Sequence, residues 1–182
     1  MTTHTLEALF ERLQQRGGER YTGEPVTHLE HALQCATLAQ AAQAGDALVV
    51  AALLHDIGHL LHDHGGTPTE RGVDDSHEHL AEACLSQWFG PEVTRPVALH
   101  VQAKRYLAHH PAYLKVLSID SQRSLALQGG PMDTAECFAF RQLPHAMDAV
   151  RLRHWDETAK RPGHPTPALE TFWPLVLVCQ RR

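Results

Sequence analysis

The sequence has 182 residues and a mass of 20.2 kDa, a length that favours one compact domain over residues 1–182. Hydrophobic residues make up 43% and charged residues 20% of the chain, which excludes disorder or a coiled coil as the main architecture. The 16 basic and 21 acidic residues give a net charge of −5, so nucleic acid is not an expected partner.

The N-terminal and apolar segments favour a cytoplasmic protein with no membrane partner. Charges interrupt the helical pattern of the first 16 residues, which is not the pattern of a secretory signal. The longest apolar run, residues 47–54, is too short to cross a bilayer core of about 30 Å. The four cysteines form no CxxC pair, so we expect reduced thiols rather than a disulfide framework.

Hydrophobic periodicity predicts three helices in the first third of the chain. They cover residues 3–15, 26–44 and 47–62, and the third is apolar on almost every side. We expect Gly45 to end the second helix and Asp46 to cap the third. The following residues, 62–75, are rich in glycine and charge and predict a loop.

The rest of the chain is also predicted to be helical. The expected helices run from Ser76 to about Phe89, from Pro91 to 107, in shorter pieces over 111–127, and over 134–141 and 145–160. Pro174 interrupts the last apolar stretch, so no structure is predicted for the tail, 161–182. The sequence therefore predicts an all-α helical bundle of seven to nine helices with its core at about 20–160.

Histidine and aspartate recur about once per predicted helix. The candidates for metal ligands are His31, His55, Asp56, His77, His100 and Asp156. Intervals of 24, 22 and 23 residues separate the four histidines, about one helix and one loop each, so a bundle would bring them to one centre. Asp56 also lies in the most apolar helix, where an ionised carboxylate needs a cation or a tight partner.

Four histidines and two carboxylates exceed the ligand set of one tetrahedral zinc ion. They suffice for two octahedral ions that share a bridging carboxylate, and mixed nitrogen and oxygen ligands suit iron better than metals that prefer thiolates. His79 competes with His77, because both lie on one short predicted helix. An isolated buried histidine or aspartate is as often a hydrogen-bonded core residue, so the prediction depends on the whole set.

Longer strings of sequence resemble one known family. The four positions His31, His55, Asp56 and Asp156 match the H…HD…D signature of the HD-domain superfamily, and His77 and His100 match the extra histidines of its dinuclear members. The strings outside that signature are YTGE (21–24), LEHALQCA (29–36), AALLHDIGH (51–59), HVQAKRYL (100–107), LQGGPM (127–132) and RLRHWDE (151–157). Over about 20–160 the chain resembles mixed-valent diiron oxygenases that cleave the carbon–phosphorus bond of 1-hydroxyphosphonates.

The resemblance implies two iron ions, Fe(II)/Fe(III), as cofactors. One iron would be bound by His31, His55, Asp56 and Asp156, the other by His77 and His100, with Asp56 as the bridge and His77 preferred over His79. His59, Lys104 and Ser121 match residues that contact the phosphonate, so Asp56, His59 and Lys104 are the expected catalytic residues. Lys104 also follows His100 by four residues and so shares its helical face. Tyr21 matches a residue at the metal, and Glu24 one that meets the substrate's ammonium group.

The resemblance also implies the reaction: (R)-2-amino-1-hydroxyethylphosphonate and O2 would give glycine and phosphate. One alternative is a related oxygenase whose substrate is 1-hydroxy-2-(trimethylammonio)ethylphosphonate or a 1-hydroxyphosphonate without a side chain on C1. A second is an HD phosphohydrolase of a nucleotide or phosphomonoester, in which the same ligands hold divalent metal that activates water. A third is a metal-binding domain without activity. The partners are therefore a small hydroxyphosphonate and O2, and the oligomeric state is not predicted.

Eight further histidines match no role in the family. We expect them to be solvated surface residues. They are His28, His62, His64, His109, His110, His145, His154 and His164.

Overall fold

A computed structural model describes residues 5–21, 23–61 and 68–181, and these form an all-α fold. Within those ranges the chain forms ten α-helices, three short 3₁₀-helices and two isolated β-bridges. The helices are α1 (Leu6–Arg16), α2 (His28–Ala41), α3 (Asp46–Leu54), α4 (His77–Leu85), α5 (Pro91–Ala108), α6 (Pro111–Leu114), α7 (Ile119–Leu127), α8 (Thr134–Arg141), α9 (Ala146–Thr158) and α10 (Trp173–Cys179). The predicted fold class is confirmed, with one helix more than the upper limit of the prediction.

Helix α3 lies at the centre of the core. All residues from Leu48 to Leu54 are buried, and α2, α5, α9 and α10 pack around it. A helix that is apolar on every side is stable in water only when neighbours cover all of its faces. The C-terminal end of α3 therefore delivers the next residues, His55 and Asp56, to the interior of the bundle.

The predicted continuous helix over 47–62 is wrong, because α3 ends at Leu54. A turn follows, and a 3₁₀-helix occupies Ile57–Leu60, while residue 62 lies outside the described ranges. Within this 3₁₀-helix, Gly58 passes close to the start of α4, since a Cβ atom at this position would lie 2.0 Å from the carbonyl oxygen of His77. Only glycine permits so close an approach of two backbones. Asp56 and His59 therefore do not share a face of an α-helix.

The predicted connection between α2 and α3 is also wrong. Helix α2 ends at Ala41, and Gln43 adopts the left-handed conformation with φ of +53°. Gly45 is the N-cap of α3 and not the end of α2, and Asp46 is the first residue of α3 and not its cap. A polar Gln side chain tolerates positive φ at the surface, so the expected glycine is not needed there.

Two further helix starts follow their sequence signals. Asp133 and Glu136 form the predicted capping box at the start of α8, and Pro91 begins α5. Ser76 occupies the predicted N-cap position of α4, but its side chain makes no capping hydrogen bond, and α4 ends at Leu85 and not at Phe89.

The C-terminal segment, whose structure was not predicted, contributes a helix to the core. Helix α10 packs against α3 and buries Val176, and Phe172 from the preceding 3₁₀-helix is 1% exposed. Pro174 lies in the first turn of α10, where the missing N–H group has no helical partner to lose. That the whole chain is a single domain, and that it is cytoplasmic, remain predictions. No helix in the described ranges combines the length and the apolar character that a membrane span requires.

A matched pair of phenylalanine substitutions tests the placement of the C-terminal segment. We expect Phe172→Ala to lower the free energy of unfolding by about 3–5 kcal/mol, because it leaves a cavity beside α3. Phe138→Ala, at a side chain that is 70% exposed, should change it by less than about 0.5 kcal/mol. Equilibrium unfolding in urea measures both values, and equal losses would contradict the packing of this segment.

Candidate metal centre

The six predicted ligand residues come together in the interior of the bundle. They are His31 on α2, His55 and Asp56 in the turn after α3, His77 at the start of α4, His100 on α5 and Asp156 on α9. All six are buried. The helical packing thus brings together residues from five parts of the chain, as the sequence spacing indicates.

The carboxylate of Asp56 lies between two pairs of histidines. Its Oδ2 atom is 3.5 Å from Nε2 of His31 and 3.3 Å from Nε2 of His55. Its Oδ1 atom is 3.4 Å from Nε2 of His77 and 3.6 Å from Nε2 of His100. Each oxygen therefore faces one histidine pair, which is the arrangement of a carboxylate that bridges two cations.

Hydrogen bonds on the far side of each ring set the orientation of the four imidazoles. The Nδ1 contacts are His31 with Ala159 O (2.8 Å), His55 with Ala52 O (2.9 Å), His77 with Asp75 Oδ1 (2.9 Å) and His100 with Val97 O (2.6 Å). Because Nδ1 donates in each case, Nε2 is the nitrogen that faces the centre. This is the usual way in which a protein orients histidine ligands.

Asp156 completes the first histidine pair. Its Oδ1 lies 3.4 Å from Nε2 of His31, and its Oδ2 accepts a hydrogen bond from Arg153. In the described part of the chain, Oδ1 of Asp156 and both oxygens of Asp56 are buried without a hydrogen bond. Buried carboxylate oxygens normally have a partner. A metal cation is a partner that these oxygen and nitrogen atoms fit.

The pKa values of the two carboxyl groups in the cluster are low. Burial acts to raise the pKa of Asp56, but the surrounding histidines, His55 foremost, together hold that pKa well below its usual range. For Asp156, burial is likewise outweighed, here by Arg153 and the neighbouring histidines. Burial acts to lower the pKa of His77, yet the hydrogen bond with Asp75 and the charge of Asp56 raise it to about 9. Both carboxylates are therefore ionised, which is the form that binds a metal ion.

Two other groupings are geometrically able to face a metal ion. Cys35 accompanies His31 and His55, with its Sγ 3.7 Å from Nε2 of His31. Burial raises the pKa of the Cys35 thiol well above its ordinary value, so this residue stays a neutral thiol. The second grouping is His59, Asp75 and His77. Here Asp75 contacts Nδ1 of both histidines and so orients their rings from behind.

A pocket adjoins the centre and contains all five predicted substrate-contact residues. It has about 570 Å³ of space, including its open mouth. The predicted residues that line it are Tyr21, Glu24, His59, Lys104 and Ser121. The metal-ligand candidates Asp156, His77 and His100 line it too, so a small molecule in the pocket reaches the centre.

Lys104 is a buried cation on the wall of this pocket. Its side chain is only 4% exposed, and its Nζ donates to Ser124 Oγ at 2.7 Å. No carboxylate in the described ranges lies within ion-pair distance of it. Burial and the nearby charge of Arg153 lower the pKa of Lys104 to about 7. An anion in the pocket would relieve both effects.

Tyr21 and His59 flank the centre through ring contacts. The ring of Tyr21 stacks on His31 with centroids 4.5 Å apart, and that of His59 stacks on His77 at 3.9 Å. Burial, with the charge of Asp56, raises the pKa of Tyr21 well above its usual value, so it remains a neutral phenol.

Glu24 and Ser121 belong to one polar network at the other side of the pocket. Glu24 is buried and accepts hydrogen bonds from Lys160 at 2.8 Å and from Ser118. Ser121 Oγ lies 3.0 Å from Nζ of Lys160 and 3.2 Å from Nη2 of Arg153. Ser121 therefore lies near Glu24 in this network, while Ser124 is the hydroxyl beside Lys104.

Sequence reasoning missed four residues of the site: Asp75, Ser124, Arg153 and Lys160. Signals for two of them were present. Asp75 precedes His77 by two residues, and Arg153 precedes Asp156 by three residues, which places it on the same side of a helix. Lys160 had no comparable signal, since its partner Glu24 is 136 residues away in the chain.

The structure corrects one of the predicted surface histidines. His28 is buried, with its ring 5.1 Å from that of Tyr21 and 5.7 Å from that of His59. Burial and the neighbouring His59 lower the pKa of His28 to about 4, so it is neutral. The contacts that bury His28 are made to Tyr21 and His59, which lie outside its own helix, so helical periodicity does not reveal them.

The other histidines lie away from the centre where the structure describes them. His79 has a side chain that is 64% exposed, so His77 and not His79 faces the centre. The exposed histidines are His109, His110, His154 and His164, while His145 is half-buried. His62 and His64 lie outside the described residues.

Comparison with known proteins places this site in a family. Residues 28–138 match the HD domain. A (1-hydroxy-2-(trimethylamino)ethyl)phosphonate dioxygenase (glycine-betaine-forming) of Leisingera caerulea is 42% identical over 92% of this chain and 85% of its own length. A hydroxymethylphosphonate dioxygenase of Gimesia maris is 45% identical over 94% of this chain and 86% of its own length. The chain therefore belongs to the HD-domain family and is an enzyme of its 1-hydroxyphosphonate oxygenase group.

Proposed function

We propose that the chain uses O2 and two iron ions to cleave the carbon–phosphorus bond of a small 1-hydroxyphosphonate. The observation that carries this proposal is Lys104, a buried lysine with no carboxylate partner among the described residues, on the pocket that opens to the Asp56 centre. Both curated relatives are named for 1-hydroxyphosphonates. A phosphonate is the anion that such a cation would bind.

The six converging side chains would hold the two irons. We assign His31, His55 and Asp156 to one ion and His77 and His100 to the other, with Asp56 shared. This ligand set leaves positions for substrate and O2, and iron when bound supplies the oxidative chemistry. Support comes from the separation of the two oxygens of Asp56 between the two histidine pairs.

The protein side chains would position the substrate and exclude water. Lys104 would bind the phosphonate oxygens, and His59, whose ring is fixed by Asp75 and His77, would donate to the same group. Tyr21 would cover the metal side of the pocket from its stacked position on His31. Holding the reacting carbon in one orientation beside the irons is the contribution of this scaffold.

The substituent on C1 separates the candidate substrates. In (R)-2-amino-1-hydroxyethylphosphonate, which would give glycine and phosphate, it carries an ammonium group that Glu24 would meet. In the trimethylammonio compound it carries a quaternary group, and in hydroxymethylphosphonate there is no such substituent. All three share the phosphonate and the hydroxyl group, so Lys104 and the metal centre suit each of them.

Dependence on O2 tests the proposal against a phosphohydrolase with the same ligands. We expect iron-containing protein to release phosphate from a hydroxyphosphonate only in the presence of O2, and to consume O2 as it does so. Mössbauer spectroscopy should show two coupled irons per chain. Phosphate release at the same rate without O2, or full activity with one zinc or magnesium ion, would contradict the oxygenase.

Removal of the bridging carboxylate should disrupt both metal positions. We expect Asp56→Ala to reduce bound metal from two ions per chain to one or none and to abolish activity. Asp148→Ala, at a partly exposed residue of α9, is the matched control and should keep both. Metal analysis of the purified proteins measures the difference. An Asp56→Ala protein with two ions and normal turnover would show that Asp56 is no bridge.

Loss of the buried cation should weaken binding of the phosphonate. We expect Lys104→Met to raise KM about tenfold or much more, because truncating one partner of a buried charge pair costs about 2–5 kcal/mol. Metal content should not change. Lys115→Met, at an exposed lysine, should leave KM unchanged. Steady-state kinetics measures KM for both variants. An unchanged KM for Lys104→Met would show that the phosphonate does not bind at Lys104.

A further inference from the structure

The outer hydrogen bond of His31 differs from those of the other three imidazoles at the centre. Each of the other three donates from Nδ1 to a group that is two or three residues away in the chain. The acceptor for Nδ1 of His31 is Ala159 O, which is 128 residues away. The ring of His31 is therefore oriented by a segment that only tertiary packing brings to α2.

The segment that carries this acceptor lies just past the end of α9. Ala159 is the residue that follows the helix, and its backbone leaves the helical path with ψ of 44°. Residues 161–164 then form a turn, in which the N–H of His164 donates to Arg161 O at 3.2 Å. The carbonyl group of Ala159 thus lies between a helix end and a turn, and its position depends on the contacts that hold these residues against α2.

Gln34 holds this segment against α2 with both ends of its amide group. Its Nε2 donates to Arg161 O at 2.8 Å, and its Oε1 accepts from the N–H of Arg161 at 3.1 Å. The side chain of Gln34 is only 3% exposed. A further bond to the segment, from the N–H of Gly163 to Oε1 of Glu30 at 3.3 Å, lies at the surface. Water can replace the surface bond but not the buried ones, so loss of Gln34 is the more costly.

Gln34 and His31 contact the segment from one face of α2, because they are three residues apart on the helix. Two hydrogen bonds from Gln34 and one from His31 reach the backbone of residues 159–161. A shift of this segment away from α2 would take Ala159 O away from Nδ1 of His31. Since the His31 ring is completely buried, water would not replace the lost acceptor, and the ring would no longer be held with Nε2 towards the centre.

We propose that Gln34 is a positioning residue for the metal centre. It fixes residues 159–161 on α2 and, through Ala159 O, the ring of His31. The affinity of the His31 position for iron therefore depends on Gln34, although Gln34 itself does not line the pocket. This inference rests on the two irons of the proposed function.

Iron binding by the iron-containing protein and a Gln34 variant provides the first test. Gln34→Met keeps about the same side-chain length and removes both hydrogen bonds. We expect the EDTA concentration that removes half of the bound iron to fall about 10–100-fold, the usual effect of losing the outer partner of a histidine ligand. Gln14→Met is the matched control, because it removes a hydrogen bond to Glu170 at the surface, and it should leave that concentration unchanged. An unchanged value for Gln34→Met overturns the inference.

Hydrogen–deuterium exchange of the same proteins separates positioning from general support of the fold. In Gln34→Met the amides of residues 159–164 should exchange about tenfold or more faster, because the N–H of Arg161 has lost its acceptor. Helix α5, which carries His100, should exchange as before. Faster exchange over α5 as well would show that Gln34 supports the whole fold, which overturns the inference. Faster exchange at 159–164 with normal iron binding overturns it too, since the segment would then not position His31.

A second variant keeps the inference testable if Gln34→Met does not fold. Gln34→Glu retains an acceptor for the N–H of Arg161 and loses the donor to its carbonyl oxygen, so both changes are expected in the same direction. Unchanged iron binding in that protein overturns the inference equally and leaves the proposed function intact. An unaltered protein that binds no iron, or that shows no O2-dependent phosphate release, would instead overturn the proposed function, and the inference with it.

Discussion

The burial of one carboxylate constrains the rest of the structure. Asp56 follows directly on α3, the most apolar helix, and its two oxygens face four imidazole nitrogens without a hydrogen bond in the described part of the chain. A carboxylate in such a place is stable only beside positive charge. The helices that pack around α3 supply histidines with Nε2 directed inward, and the ionised carboxylates of Asp56 and Asp156 lie among them. The packing of the bundle thus creates a set of oxygen and nitrogen atoms that a metal cation fits.

The convergence of the six candidate ligands could be predicted from the sequence, because spacing of about one helix and one loop is a property of the chain itself. The geometry between them could not. Gly58, in the 3₁₀-helix after α3, passes close to the backbone of His77 on another helix, and no local pattern contains that contact. The turn between α3 and this 3₁₀-helix gives Asp56 access to both histidine pairs, whereas on a continuous helix its carboxylate would have projected from one face. Helix α10 was not predicted, because Pro174 interrupts the apolar pattern of the last segment. Proline is compatible with the first turn of a helix, where the structure places Pro174, but the sequence does not show where this helix begins.

Charge pairing in the pocket was less predictable than the ligand set. Lys104 could be placed near the centre because it follows His100 by four residues on one helix, and residues with this spacing share a helical face. Glu24 and Lys160 come from opposite ends of the fold and meet only through tertiary packing. Seen in the sequence, Glu24 is a loop carboxylate that is free to bind a ligand. In the folded chain its side chain is buried, and its Oε1 lies 2.8 Å from Nζ of Lys160. The motif alone does not show this environment of the carboxylate.

The two sides of the pocket differ in how their charged side chains are paired. At one side, Lys104 is buried with a hydroxyl as its only described hydrogen-bond partner, so an anion improves its surroundings. At the other side, Glu24 pairs with Lys160, and Glu157 and Asp156 both pair with Arg153. The proposed phosphonate contact lies at the first side, so the substituent on C1 would meet the second. Hydroxyphosphonates with and without a cationic group on C1, for which the two curated relatives are named, differ only in the part that would meet this second side.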